Sequence, residues 1–173
     1  MQTILVNIDG TLADITHRLH FLDGPLFKPK NWNNFFNAMS DDKPIEPICT
    51  LVKTLISPAK PTLAIVFVSG HPDNHRAATL QWLGVNVDGW RRPLYMRAAG
   101  DYRADDIVKR ELLATIRADG FEPVIAIDNR QRVVDMWREE GLICLQAADP
   151  ARSRMTAGDF LLRQKYERPS DVS

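Results

Sequence analysis

Short apolar runs that each break at a polar turn, with helical stretches between them, constrain this chain more than any other feature. Ile4 to Ile8 is β-branched and, apart from Asn7, apolar; it runs into Asp9-Gly10-Thr11. Leu63 to Val68 is apolar throughout and breaks at Ser69-Gly70-His71-Pro72. Pro93 to Met96, Val124 to Ile127 and Leu142 to Leu145 are further short runs, the second of them ending at Asp128-Asn129. Between them lie helical patterns. One starts at Glu46 with Ile48, Leu51, Val52 and Leu55 at helical spacing, and a second spans Asn74 to Leu83 with Gly84 expected to close it. A third, Ala104 to Ala118, carries Val108, Leu112 and Ile116 on one face before Gly120, and a fourth, through Val133, Val134 and Trp137, ends at Gly141. Strands alternating with helices of this length predict right-handed βαβ units. The fold class is therefore α/β, a doubly wound parallel sheet of the Rossmann-like kind with helices on both faces.

The segment after the first strand departs from this rhythm. Residues 14–44 hold His17, Arg18, His20, Trp32, Phe35 and Phe36 among prolines and several Asn and Asp, which reads as a small inserted cap. The expected organisation is one domain over 1–163, with core 1–13 and 45–163, the cap between, and a loosely held tail at 164–173. The 173 residues suit a single core, and their 45% hydrophobic and 25% charged content is that of a globular chain. Lys plus Arg number 22 and Asp plus Glu number 22, so there is no global field to draw the molecule onto nucleic acid or a membrane, and any phosphate binding must be local. Cys49 and Cys144 stand far apart with no CxxC pattern, which argues against a disulfide framework or structural zinc and for a reducing cytosol. The longest apolar run is far too short to span a bilayer, so no membrane role is expected; an oligomer is left open.

In an open α/β sheet ligands sit beyond the carboxyl ends of the strands. The first strand delivers Asn7 and Asp9 to that edge, the second Ser69, and the fourth Asp128 and Asn129, while Lys109 stands near the start of the preceding helix. Asp9 and Asp128 are hard oxygen donors placed to share one Mg2+. Ser69 and Lys109 are then positioned for phosphate oxygens.

The strings Asn7-Ile8-Asp9-Gly10-Thr11-Leu12-Ala13, Val68-Ser69-Gly70, Lys109 and Ile127-Asp128-Asn129-Arg130 resemble the four motifs of the haloacid dehalogenase-like phosphatases. Within that group the chain is most like the phosphatase domain of bacteriophage polynucleotide kinase/phosphatase, through Gly100 to Lys109 and Ala126 to Arg138. No P-loop precedes the first strand, which implies a free-standing phosphatase domain. The resemblance implies a Mg2+-dependent phosphomonoesterase whose nucleophile is a carboxylate at position 7 and whose general acid/base is Asp9. It implies metal contacts from position 7, the Asp9 carbonyl, Asp128 and Asn129. It also implies phosphate or substrate contacts from Thr11, Ser69, Gly70, His71 and Lys109, with Asp105 orienting Lys109 and Arg18 touching substrate. The substrate so implied is a nucleic-acid 3'-phosphate; a 5'-deoxynucleoside monophosphate is the alternative, given the neutral charge.

Three positions depart from the family pattern. Asn7 replaces the nucleophilic carboxylate, and an amide carries no negative charge and forms no normal acyl-phosphate, so little or no turnover is expected. Two readings follow: a substitution made to hold substrate in place, or a non-catalytic phosphate binder. His71 replaces an arginine, removing a permanently charged bidentate fork. Asn129 replaces a second aspartate. In the cap, Trp32, Phe35 and Phe36 form either a satellite core or a surface for stacking a base. Arg91, Arg92, Arg97 and Arg103 form either a strip that tracks a nucleic-acid backbone or a solvated face.

Overall fold

A computed structural model describes residues 1–22, 30–56 and 63–147. Strand β1 (Gln2–Asn7) is the centre of a five-stranded sheet completed by β4 (Ala64–Pro72), β5 (Leu94–Arg97), β6 (Glu122–Asp128) and β7 (Ile143–Gln146). Every pairing is parallel, in the order β5-β4-β1-β6-β7. The chain moves outward from β1 through β4 to β5 and then returns to the other side of β1 for β6 and β7. The strand order thus reverses beside β1, and the crevice there lies between the ends of β1 and β6.

The two-residue period of an extended chain explains the unbroken apolar runs. Ile4, Val6, Ile65 and Phe67 point to one face, where they pack with Cys49 and Val52 of α2 (Glu46–Ile56) and with Trp82, Leu83 and Val87 of α3 (Arg76–Val87). Leu5, Val66 and Val68 point to the other, against Leu113 and Ile116 of α4 (Asp105–Ala118) and Val133, Val134 and Trp137 of α5 (Gln131–Glu139). Both faces are covered, so the middles of the strands are apolar and the buried polar residues gather toward their carboxyl ends, apart from Thr3, whose hydroxyl donates to the Met1 carbonyl.

Three features differ from the sequence reading. Strand β4 does not break at Ser69 but continues through Ser69, Gly70 and His71 to Pro72. Helix α3 does not stop at Gly84 but runs on to Val87 and ends at Asp88, whose φ is 54°. Gly84 instead packs beside the Trp90 side chain, so its small size serves a contact and not a terminus. The cap is also tied down by a two-stranded ribbon with no signal in the sequence, β2 (Ala13–Asp14) antiparallel to β3 (Lys43–Pro44). Between these strands lie a 3-10 turn over Thr16–Phe21, the short helix α1 (Trp32–Asn37) and a second 3-10 turn over Ala38–Asp41. The Asn31 side chain caps α1 by accepting from the Asn34 N–H at 3.1 Å. The expected tail at 164–173 and the part of the expected core beyond Ala147 lie outside the described residues.

Candidate active site

The carboxyl ends of β1, β4 and β6 bring most of the singled-out side chains to one spot. Lys109, on the first turns of α4, is fully buried there, and its ammonium donates to Asn7 Oδ1 (2.9 Å) and to Asp128 Oδ2 (2.9 Å) and pairs with Asp105 Oδ2 (3.2 Å). Burial alone would discharge this ammonium, but the carboxylates of Asp105 and Asp128 more than compensate and hold its pKa above the ordinary lysine value. Asp105 is pushed below the ordinary carboxylate value: burial opposes this, and Lys109, Arg130 and Arg97 outweigh it. Arg97 donates to Asp105 Oδ1 at 3.1 Å and to the Gly70 carbonyl at 3.0 Å, so it ties the end of β4 to the start of α4.

Asn7 is 5% exposed and both ends of its amide are engaged. Nδ2 donates to the Asp9 carbonyl (2.8 Å), Thr11 Oγ1 (3.0 Å) and Asn129 Oδ1 (3.1 Å). Asn129 reaches this position because Gly10, at φ 72°, has no side chain: a Cβ there would lie 2.2 Å from Asn129 Nδ2. Asp128 is saturated, with Oδ1 accepting from the backbone N–H groups of Asn129 and Arg130 and Oδ2 from Lys109 and Trp137 Nε1.

Asp9 is held by a second network that reaches into the cap. Its Oδ1 accepts from Arg18 at 2.7 Å and lies 2.6 Å from His71 Nε2. Burial would raise the Asp9 pKa, yet His71 and Arg18 together bring it far below the usual carboxylate range. The other ring nitrogen of His71 lies 3.2 Å from Thr79 Oγ1, so both nitrogens of this buried ring face acceptors or a hydroxyl. Arg18, with no exposed surface, forms a two-point pair with Asp42 at 2.8 and 2.6 Å, and its guanidinium lies 4.1 Å over the Phe35 ring.

A cavity of about 570 Å³ opens above these groups. Asn7, Asp9, Gly70 and Asp105 form part of its floor, with Trp32 and Phe36 of α1 on one wall and Tyr102 and Arg103 also lining it. Thr11, Ser69, His71, Lys109 and Asp128 lie beneath the floor, each 1% exposed or less, and Arg18 stands behind Asp9. The cap aromatics divide between two settings: Phe35 is core at 2% exposed, while Trp32 stacks on Phe36 at the rim with 38% of its surface open. The arginine strip is not continuous. Arg91 covers Trp90 and Arg92 binds the Ile56 carbonyl ahead of β5, whereas Arg97 closes that strand at the cavity. Arg97, the last residue of β5, lines the cavity with Arg103, whereas Arg91 and Arg92 precede the strand and do not line it.

Sequence reasoning did not find Asp42, Thr79 or Trp137 as partners in the site. Asp42 carried no signal beyond being one of several acids in the same segment as His17 and Arg18, and Thr79 and Trp137 occupy ordinary helix positions. Mg2+ fits this donor set poorly. It prefers anionic oxygens, whereas Asn7 turns a nitrogen toward the Asp9 carbonyl and Asn129, and Asp128 has no oxygen free. Among the described residues no helix is long and apolar enough to cross a membrane.

The family model for the polynucleotide kinase PNKP phosphatase domain matches residues 1–151. The structure superimposes on a chain of the Pnkp1/Rnl/Hen1 complex with a TM-score of 0.65 and 25% identity, covering 85% of this chain and 46% of that one. A chain of the Pnkp1/Rnl/Hen1 RNA repair complex gives 0.64 and 26%, covering 85% and 42%. This chain thus spans less than half the length of either. A haloacid dehalogenase-like family hydrolase from Streptococcus pneumoniae shares the fold, with a TM-score of 0.58 and 12% identity over 95% and 98% of the two chains.

Proposed function

The chain belongs to the polynucleotide kinase PNKP phosphatase domain family of haloacid dehalogenase-like phosphatases, and from that premise we propose that it grips a phosphate monoester at a nucleic-acid 3' end without cleaving it. The observation that carries this reading is the state of Asn7, at the position where the reaction needs a nucleophile. Its oxygen is neutral and already accepts from Lys109, and its nitrogen has no lone pair to offer phosphorus. Asp9 is held as an ionised carboxylate by Arg18 and His71, a state suited to fixing these groups and not to giving up a proton.

With a carboxylate at position 7 the same frame supports turnover. One carboxylate oxygen attacks phosphorus in line, the bond to the ester oxygen breaks, and the departing alcohol takes a proton that Asp9 must first acquire; water then releases phosphate and restores the carboxylate. Magnesium dependence is proposed for that form and not for the chain as it stands. The nucleic-acid assignment is supported by the RNA repair assembly that contains a similar chain and by the half-open Trp32 ring at the cavity rim. One observation favours a second substrate, a 5'-deoxynucleoside monophosphate: a cavity of about 570 Å³ is of the size that encloses a single small molecule.

Phosphate release by Asn7→Asp, alone and combined with Asn129→Asp, tests the reading when a 3'-phosphorylated oligonucleotide is compared with a 5'-deoxynucleoside monophosphate in Mg2+. Turnover by either variant and none by the unaltered chain is expected. Comparable turnover by the unaltered chain would overturn it, and a preference for the mononucleotide would select the second substrate.

A further inference from the structure

The orientation of the Asn7 amide is not free. Reversing it would set Nδ2 against the Lys109 ammonium, donor facing donor, and Oδ1 against the Asp9 carbonyl and Asn129 Oδ1, acceptor facing acceptor. The hydrogen-bond network therefore fixes a nitrogen bearing two hydrogens at the centre of three oxygens, those of Asp9, Thr11 and Asn129, at 2.8, 3.0 and 3.1 Å. Converging oxygens are what a hard cation gathers around itself. Here the positive end of an amide dipole gathers them.

Charge points the same way. Carboxylates at positions 7 and 129 would add two negative charges at this spot, the charge that a divalent ion neutralises. Amides at both positions leave nothing for the ion to neutralise, and the nearest carboxylates are already paired, Asp128 with Lys109 and Asp9 with Arg18 and His71. We infer that the Asn7 side-chain amide, paired with Asn129, takes the place of a divalent cation at the end of β1, so that this site is complete without a metal ion and does not recruit one. The two amides act together: Asn7 Nδ2 donates to Asn129 Oδ1, and the Asn129 side chain fits there because Gly10 leaves room for it. This inference does not depend on which phosphate ester occupies the cavity, and its test contains none.

The full chain is titrated with Mg2+ and with Mn2+ by calorimetry and followed by thermal melting. The unaltered chain should show no saturable heat and no change in Tm beyond about 1 °C at about 10 mM ion, whereas Asn7→Asp/Asn129→Asp should bind and gain roughly 5–10 °C. Saturable binding by the unaltered chain, or a folded double variant that binds no ion, overturns the inference. A second measurement needs no variant. In 15N spectra the Asn7 side-chain NH2 should exchange slowly and stay unmoved by Mg2+; a resonance that shifts saturably with Mg2+ overturns the inference regardless of how the double variant folds.

Discussion

Lys109 Nζ lies 2.9 Å from Asn7 Oδ1, across 102 residues of sequence, and by donating there it decides which end of the Asn7 amide faces the neighbouring oxygens. The same ammonium neutralises two buried or nearly buried carboxylates, so the position couples the stability of the sheet edge to the chemistry of the site.

Lys109→Met should therefore cost about 3–5 kcal/mol, because it leaves Asp128 and Asp105 without their shared cation in a water-poor setting. Urea unfolding monitored by circular dichroism measures this. A loss below about 1 kcal/mol would mean that the carboxylates find other partners or water.

The cap should depend as strongly on one buried pair. Asp42 accepts twice from Arg18, whose side chain has no exposed surface, and also lies 2.8 Å from His17. Asp42→Ala removes two of the buried guanidinium's charge-assisted hydrogen bonds and leaves it Asp9 as its one carboxylate partner among the described residues, and a cost of about 3–5 kcal/mol is expected in the same assay. Arg103, exposed between Asp101 and Glu111, is the contrasting case, and its replacement by alanine should leave the unfolding midpoint unchanged.

Acid should weaken the fold through Asp105. Its carboxyl titrates below the ordinary value of 3.8 in the folded chain, so its charged form favours folding at pH above that value. That contribution fades as pH falls from 3.8 toward the lower folded value. Unfolding free energies measured between pH 6 and pH 3 should drop less steeply for Asp105→Asn than for the unaltered chain; equal slopes would show that Asp105 does not contribute to the acid response.

Trp32 should matter for ligand and little for folding. It is half-open at the cavity rim and stacked on Phe36, while Phe35 carries the packing. Trp32→Ala should weaken binding of a 3'-phosphorylated oligonucleotide by about tenfold, as the loss of one base-stacking surface would, and leave binding of inorganic phosphate unchanged. Fluorescence anisotropy with a labelled oligonucleotide, with phosphate as competitor, separates the two.

The layered sheet was legible from residue order because strand and helix periodicities are local. Alternating residues of Ile4 to Val6 and Ile65 to Val68 meet two covered faces, so a continuous apolar run marks a central strand and the first polar residue after it marks the site edge. Asn7, Asp9, Asp128 and Asn129 were readable for that reason, and the Asn at position 7 announced its own chemistry, because an amide lacks a carboxylate's charge in any fold. Less of the cap could be read. Its ribbon strands are two residues long, too short to show a period; in α3, likewise, nothing local distinguishes a helix-ending glycine from one like Gly84 that makes room for Trp90. Tertiary structure alone decided which polar groups meet. Arg18 faces Asp42 and Asp9 and does not line the cavity, His71 is buried between Asp9 and Thr79, and the Asn7 amide points its nitrogen at Asn129. Residue types define what each group can donate or accept. Which donor finds which acceptor depends on distances of about 3 Å between segments far apart in the chain, and only the packed sheet sets those distances.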